Sequence, residues 1–359
     1  MKRQGPIKVL IVDDSPLVRS ILQQVLSGQD GISIVGGAKD PYEARELIIN
    51  CRPDVIILDI EMPRMDGLTF LRRLMQHYPV PVIMCSGVAP ANSEAALKAL
   101  EIGAVEVVAK PAGGGSGALR RLGEELADKV RAAAIAIKRT SLAPAPMSHA
   151  PLAFRAMGLD PARYVVAIGA STGGTEAIRS LLSRVPADFP PVVMTQHMPE
   201  GFTRSFAGRL DQFSPLSVSE AVDGDVLTPG RAFLARGGIQ MMVRGAPGWW
   251  RIRYGTNELV NRHCPSVDVL FDSVAGAAGK SAVGVLLTGM GADGAQGLLR
   301  MRQAGGVTLA QDGASCVVYG MPKVAIELGA AQASASPADI PGLVLQLLKK
   351  RIPAAGVTT

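Results

Sequence analysis

Aromatic residues are scarce in this chain, only 4% of 359 positions, and no basic stripe or recognisable module accompanies them. A reader of nucleic acid needs one or the other, so that class is excluded. The net charge of +6 arises from 37 basic residues interspersed with 31 acidic ones, not from a single basic tract. No apolar run is long enough to span a bilayer, and Met1-Lys2-Arg3-Gln4-Gly5-Pro6 leads straight into a strand-like segment rather than a signal-peptide core. A cytoplasmic protein is the expectation. Cysteine is sparse as well: Cys51, Cys85, Cys264 and Cys316 lack metal-like spacing and read as free thiols, with His263-Cys264 a structural neighbour pair. What is present is 48% hydrophobic residues against 19% charged ones, a globular balance with length for two or three domains.

The first 125 or so residues alternate strand and helix signals. Strand-like runs cover Lys8–Asp14, Ile32–Ala38, Asp54–Ile60, Pro81–Gly87 and Val105–Lys110. Helical periodicity lies between them, as in Leu17/Ile21/Leu22/Val25. Continuous apolar strands separated by helices predict a doubly wound, five-stranded parallel sheet whose chemistry gathers at the strands' carboxyl ends. Those ends carry Asp13, Asp14, Asp59, Ser86 and Lys110. Three converging carboxylates repel one another unless a cation sits among them, and oxygen-only donors point to Mg²⁺. Asp59 can then form an acyl phosphate, with Lys110 offsetting phosphoryl charge and Ser86 donating to the product phosphate. Each residue alone has a plainer reading as a turn or solvated residue; the set at one edge is what argues for function.

A Gly-rich run follows Lys110-Pro111, then a helix with Leu119, Leu122, Leu126 and Val130 on one face. Pro, Ala and Ser without periodicity mark a linker, so the expected division is 1–125, a helix extension and linker over 126–162, and a second domain over 163–352. The second domain again alternates, with strands at Tyr164–Ala170, Pro191–Gln196, Ser281–Thr288 and Gly306–Ala310. Arg231–Ala235, Gln240–Arg244 and Trp249–Tyr254 read as an antiparallel excursion, with Trp249 and Trp250 as packing residues of its hairpin. The whole is an α/β chain with a Rossmann-like second half.

Gly169-Ala170-Ser171-Thr172-Gly173-Gly174 joins the first strand of that half to a helix. Its spacing fits a nucleophile elbow, although Ser171 or Thr172 taken alone reads as a helix cap. Serine needs an imidazole to take its proton and an acid to hold that imidazole. His197 stands at a strand's carboxyl end; His263, in a polar connection, is the poorer location. Asp293 follows another strand and has the plain alternative of a helix N-cap. Backbone amides of Thr172 and Met290, both in Gly-rich turns, can face a tetrahedral oxyanion. A dinucleotide fingerprint fits poorly, because His197 stands where that fold needs an acid.

Val12-Asp13-Asp14-Ser15, Asp59 through Gly67, Cys85-Ser86 and Ala109-Lys110-Pro111 resemble the signature of response-regulator receiver domains. That resemblance implies phosphorylation of Asp59 by a histidine kinase. It also implies Mg²⁺ held by Asp14, Asp59 and a carbonyl near Glu61, with Asp13 supporting, and a cis Lys110–Pro111 bond. Val107 occupies the position where receivers often carry an aromatic switch residue. The segments around Ser171, Gln196-His197-Met198-Pro199-Glu200 and Thr288 to Gly294 resemble the chemotaxis protein-glutamate methylesterases, the CheB family. This resemblance implies Ser171 as nucleophile, His197 as base, Asp293 as orienting acid and Met290 in the oxyanion hole. It further implies γ-glutamyl methyl esters of chemoreceptors as substrates, receptor glutamines for deamidation, and a receiver that blocks the active site until phosphorylated. No cofactor is expected for the esterase reaction, and membranes are met only through receptors. The rival readings are a receiver-controlled docking module and a related hydrolase with a non-chemotaxis protein substrate.

Overall fold

A computed structural model of the protein describes residues 5–87, 90–110, 116–136 and 153–351. The chain divides into two compact units, Met1–Lys138 and Arg139–Thr359.

The first unit runs β1 (Ile7–Val12), α1 (Pro16–Ser27), β2 (Ile32–Ala38), α2 (Pro41–Cys51), β3 (Val55–Asp59), α3 (Gly67–His77), β4 (Val82–Ser86), α4 (Pro90–Ile102), β5 (Glu106–Ala109) and α5 (Ser116–Ile135). Its sheet has the order β2-β1-β3-β4-β5, with every pairing parallel. Strands covered on both faces need apolar residues at successive positions. Val9 through Val12 and Val55 through Leu58 are accordingly all fully buried. Leu22 and Leu26 of α1 and Leu126 and Val130 of α5 close one face of this core. The helices start where short polar side chains satisfy their first amides: Ser15 before α1, Asp40 before α2 and Asp66 before α3. Pro111, the Gly-rich run after it and most of the Pro/Ala-rich linker, including His149, lie outside the described residues.

In the second unit, Phe154 is wholly buried and edge-on to Tyr164 and Phe189. Residues just ahead of the first strand are thus packed, not free linker. There follow β6 (Val165–Ala170), α6 (Gly174–Leu182), β7 (Val192–Gln196), α7 (Thr203–Phe213), β8 (Ser217–Glu220), β9 (Arg231–Leu234), β10 (Met241–Arg244), β11 (Arg251–Tyr254), α8 (Val267–Ala278), β12 (Ala282–Leu286), α9 (Ala295–Gln303), β13 (Val307–Gln311), α10 (Met321–Glu327), β14 (Ala333–Ala335) and α11 (Ile340–Lys349). Seven strands form one parallel sheet in the order β14-β13-β12-β6-β7-β9-β8.

Two expectations are corrected here. The segment at Arg231 is no part of an antiparallel excursion: β9 lies in the main sheet, parallel to β7 and β8. Its apolar Ala232-Phe233-Leu234 core is buried on both faces, as an internal strand requires. Only β10 and β11 form the hairpin, anchored on α8 through Val243 N–H to Ser273 Oγ at 2.9 Å. The tryptophans also differ. Trp250 is fully buried and its indole N–H donates to the Ala277 carbonyl at 3.3 Å, whereas Trp249 is 75% exposed and packs nothing central. Adjacent residues near a strand start point to opposite faces, so only one of the pair can enter the core.

Candidate active site and phosphorylation site

In the second sheet the chain leaves β6, adds β7 on one side and later places β12 on the other. That reversal opens a crevice at the carboxyl end of β6, where open α/β sheets bind ligands. Ala170 pairs with Gln196 in register, so Ser171 and His197 are the next residues out on adjacent strands. His197 N–H donates to the Ala170 carbonyl at 3.0 Å, extending the ladder by one rung beneath them. Asp293 comes from the turn after β12, on the other flank of β6.

The turn at Ser171 is not a side-chain helix cap. Gly173 is the N-cap of α6, at φ +76°, and no side chain bonds the first amides. A residue with a Cβ is strained at that angle, which explains the second glycine of the motif. The first, Gly169, has a different reason. A Cβ there would come within 2.1 Å of Val267 Cγ1, so the glycine admits the start of α8 against β6. This close packing brings Ser266 and Val267 to Asp293.

The Asp293 carboxylate is buried at 3% exposure and accepts from five donors. They are His197 Nε2 (2.8 Å), Asn261 Nδ2 (2.8 Å), Ser266 Oγ (2.7 Å), Val267 N–H (2.7 Å) and Asp268 N–H (3.2 Å). Asp293 is thus the N-cap of neither helix, Gly294 capping α9 and Ser266 capping α8, but its carboxylate accepts from the first amides of α8. Burial raises its pKa, and the bonds from His197, Asn261 and Ser266 outweigh that, leaving the carboxyl well below the usual carboxylate range. With an ionised acceptor opposite it, His197 Nε2 carries the proton and Nδ1 holds the lone pair. Among the described residues His197 Nδ1 is buried and without a hydrogen-bond partner, Ser171 Oγ included. Catalytic hydrogen bonds often tighten only when substrate is bound.

Several residues left aside on sequence grounds support this site. Gln196, buried, donates through Nε2 to the carbonyls of Ser171 (3.0 Å) and His197 (3.3 Å), tying the two strand ends together. Thr288, wholly buried, donates to the Thr172 carbonyl at 3.0 Å while its carbonyl accepts from Ser171 N–H at 3.0 Å. Gly289 N–H and carbonyl bond the 318–321 turn, fixing the loop that carries Met290. The amides of Thr172 and Met290 take no part in these bonds among the described residues. His263, set aside as a base, stacks face to face on His197 with ring centroids 3.6 Å apart. Gln196 and Thr288 stand inside the motifs and were readable as supports; His263 and Asn261 are brought in by a long connection with no periodic signal.

In the first unit, Asp13, Asp14 and Asp59 place one oxygen each within 4.8 Å of one another. Asp13 and Asp59 are each 1% exposed. Lys110 Nζ lies 2.7 Å from Asp59 Oδ2 and 3.2 Å from Asp13 Oδ2, an ion pair with each. Burial pushes the Asp59 carboxyl up to about 6, with Asp13 adding to the rise and Lys110 opposing it. Three converging carboxylates, an all-oxygen donor set, fit a hard divalent ion. Glu61 enters by its backbone, its N–H donating to Asp59 Oδ1 at 3.2 Å. Ser86 is buried at the end of β4, and its Oγ donates to the Gly87 carbonyl at 3.2 Å. Val107 is buried too, its carbonyl accepting from Lys129 Nζ at 3.1 Å. Among the described residues no helix is long and apolar enough to cross a membrane.

Comparison with known proteins agrees with both halves. The family model described as CheB methylesterase matches residues 166–344, and that of the response regulator receiver domain matches 9–116. A protein-glutamate methylesterase/protein-glutamine glutaminase of Bordetella bronchiseptica is 51% identical over 347 residues, covering 96% of this chain and 98% of that protein. One of Pseudomonas aeruginosa is 51% identical over 330 residues, covering 91% and 93%. The crystal structure of the Thermotoga maritima CheB methylesterase catalytic domain aligns with a TM-score of 0.50 at 37% identity, over 51% of this chain and 98% of that domain.

Proposed function

This chain belongs to the CheB methylesterase family, a receiver domain joined to a protein-glutamate methylesterase, and from that we propose that Ser171, His197 and Asp293 form its hydrolytic triad. The observation that carries the proposal is the 2.8 Å bond between His197 Nε2 and a buried, ionised Asp293, one strand away from Ser171. His197 Nδ1 accepts the Ser171 proton as Oγ attacks the ester carbonyl, and Asp293 stabilises the imidazolium that forms. The amides of Thr172 and Met290 hold the oxyanion. Collapse expels methanol, with the proton returned by His197, and leaves a glutamyl ester on Ser171. Water, deprotonated by the same imidazole, then releases glutamate. A glutamine side chain enters the same sequence with ammonia as leaving group, which is the glutaminase reaction in the relatives' names.

The substrates on this reading are γ-glutamyl methyl esters and glutamines of chemoreceptors, reached from the cytoplasm. A histidine kinase supplies the phosphoryl group that Asp59 accepts. Asp14 and Asp59 with the carbonyl at Glu61 would hold Mg²⁺, with Asp13 supporting, and the ion would offset charge on the phosphoryl group. Lys110 and Ser86 contact the phosphoryl oxygens. Phosphorylation of Asp59 raises esterase activity.

Two measurements test the receiver half. Asp59→Asn is expected to retain basal methanol release from methylated receptor fragments while a small phosphodonor no longer stimulates it. Continued stimulation removes Asp59 from the switch. Adding Mg²⁺ at pH 7 is expected to raise the melting temperature of the first unit's transition, because the ion offsets repulsion among buried carboxylates. Asp59→Asn should lose most of that gain, and an equal gain in the variant would place the ion elsewhere.

A further inference from the structure

The loop between β11 and α8 touches both His197 and Asp293 at once. Asn261 and Arg262 form a two-residue turn, with Val260 N–H to the His263 carbonyl at 3.0 Å and His263 N–H to the Val260 carbonyl at 2.9 Å. Both central residues are left-handed, at φ +52° and +68°. This is the type I′ geometry, which Asn tolerates and which costs an arginine roughly 1–2 kcal/mol. Strain of that kind persists only where the surroundings enforce it.

The turn puts two side chains to use. Asn261 Nδ2 bridges two carboxylates, 2.8 Å from Asp293 Oδ1 and 2.7 Å from Asp268 Oδ2. Asp268 is fixed in turn by Gly297 N–H at 2.6 Å. His263 lies flat on His197, with 3.6 Å between centroids and 14° between planes. Two rings in that attitude have their nitrogen lone pairs in parallel planes, so neither can hydrogen-bond the other and no proton passes between them. What the stack does is mechanical. The single bond to Asp293 leaves His197 free to tilt about the bond axis, and a second ring at van der Waals distance removes that freedom. It also covers one face of the imidazole against water.

We infer that the Val260–His263 turn is a clamp on the base: Asn261 sets the Asp293 carboxylate plane and His263 sets the His197 ring plane. Both are positioning residues, and the inference rests on the triad reading above. A ring held in the plane that meets Ser171 Oγ favours the transition state and contributes little to substrate binding, so the effect falls on kcat.

The test uses the full chain, a peptide carrying a γ-glutamyl methyl ester, and methanol release. His263→Ala is expected to lower kcat roughly 10- to 100-fold, the scale of a misplacement near one ångström, with KM changed less than about twofold. His263→Phe, which keeps a flat ring, should stay within about threefold of the unaltered enzyme if stacking is the role. Asn261→Gly keeps the left-handed turn and removes only the amide, and it should also lower kcat at constant KM. A full kcat in His263→Ala overturns the clamp, and so does a His263→Phe variant as slow as alanine. Ser171→Ala in the same assay separates the two readings. If it remains active, the triad itself is wrong; if it is inactive while His263→Ala is unimpaired, only the clamp fails.

Discussion

Replacing Ser171 by alanine is expected to cut kcat for methyl ester hydrolysis by about 10⁴- to 10⁶-fold, to the level left by substrate binding and oxyanion contacts. Ser171 is the first residue past β6, level with His197 at the end of β7, and the buried Thr288 hydroxyl is committed to the Thr172 carbonyl. The substitution removes one oxygen and keeps every backbone bond of the turn, including Ser171 N–H to Thr288 and Gly174 N–H to Ser171. Melting temperature should therefore hold, and Asp59, in the other unit, should still accept a phosphoryl group. Methanol release, thermal melting and acyl-phosphate formation measured on one preparation check all three. An alanine variant with full esterase activity would dispose of the nucleophile assignment.

Asp293→Asn is expected to lower kcat by about 10⁴-fold, because an amide in place of the carboxylate favours the wrong imidazole tautomer and cannot stabilise the imidazolium. Unlike the serine change, this one also costs stability. Asp293 gathers five donors, two of them the first amides of α8, and an asparagine offers one acceptor oxygen and two donors of its own. At least one buried donor is left unpaired or opposed, at roughly 1–3 kcal/mol. The pH dependence has a definite sign. A carboxyl held below its unfolded value contributes stability that is present above the ordinary carboxylate range and lost as pH falls through the lower folded value. The unaltered enzyme should thus be the more stable at pH 7, with its advantage over Asp293→Asn shrinking only under strong acid. Parallel thermal melts at pH 7 and pH 3 read this out; a constant difference between the two would mean that folding does not lower the Asp293 pKa.

Much of this site could be read from residue order because parallel sheets concentrate chemistry at predictable places. Asp13, Asp59, Ser86, Ser171 and His197 each end an apolar run, and an apolar run that ends in polar residues has little choice about where they go. The sheet itself follows from the same runs, since strands buried on both faces leave no alternation to obscure them. The errors have the same origin. The strand at Arg231 is short and lies among glycine-rich turns, so its residues did not distinguish a hairpin strand from an internal parallel one; pairing with β7 and β8 decided that.

The residue order by itself determined which polar groups gather at the strand ends and which strand each one ends, because those are local consequences of pattern and side-chain type. Tertiary structure alone decided how the groups are held. It set the Asp293 carboxylate against the first amides of α8 instead of those of the helix that follows it, required Gly169 for packing against Val267, and laid His263 on His197 across 66 residues of chain. Contacts between segments far apart in sequence depend on how whole elements pack, and no local periodicity carries that information.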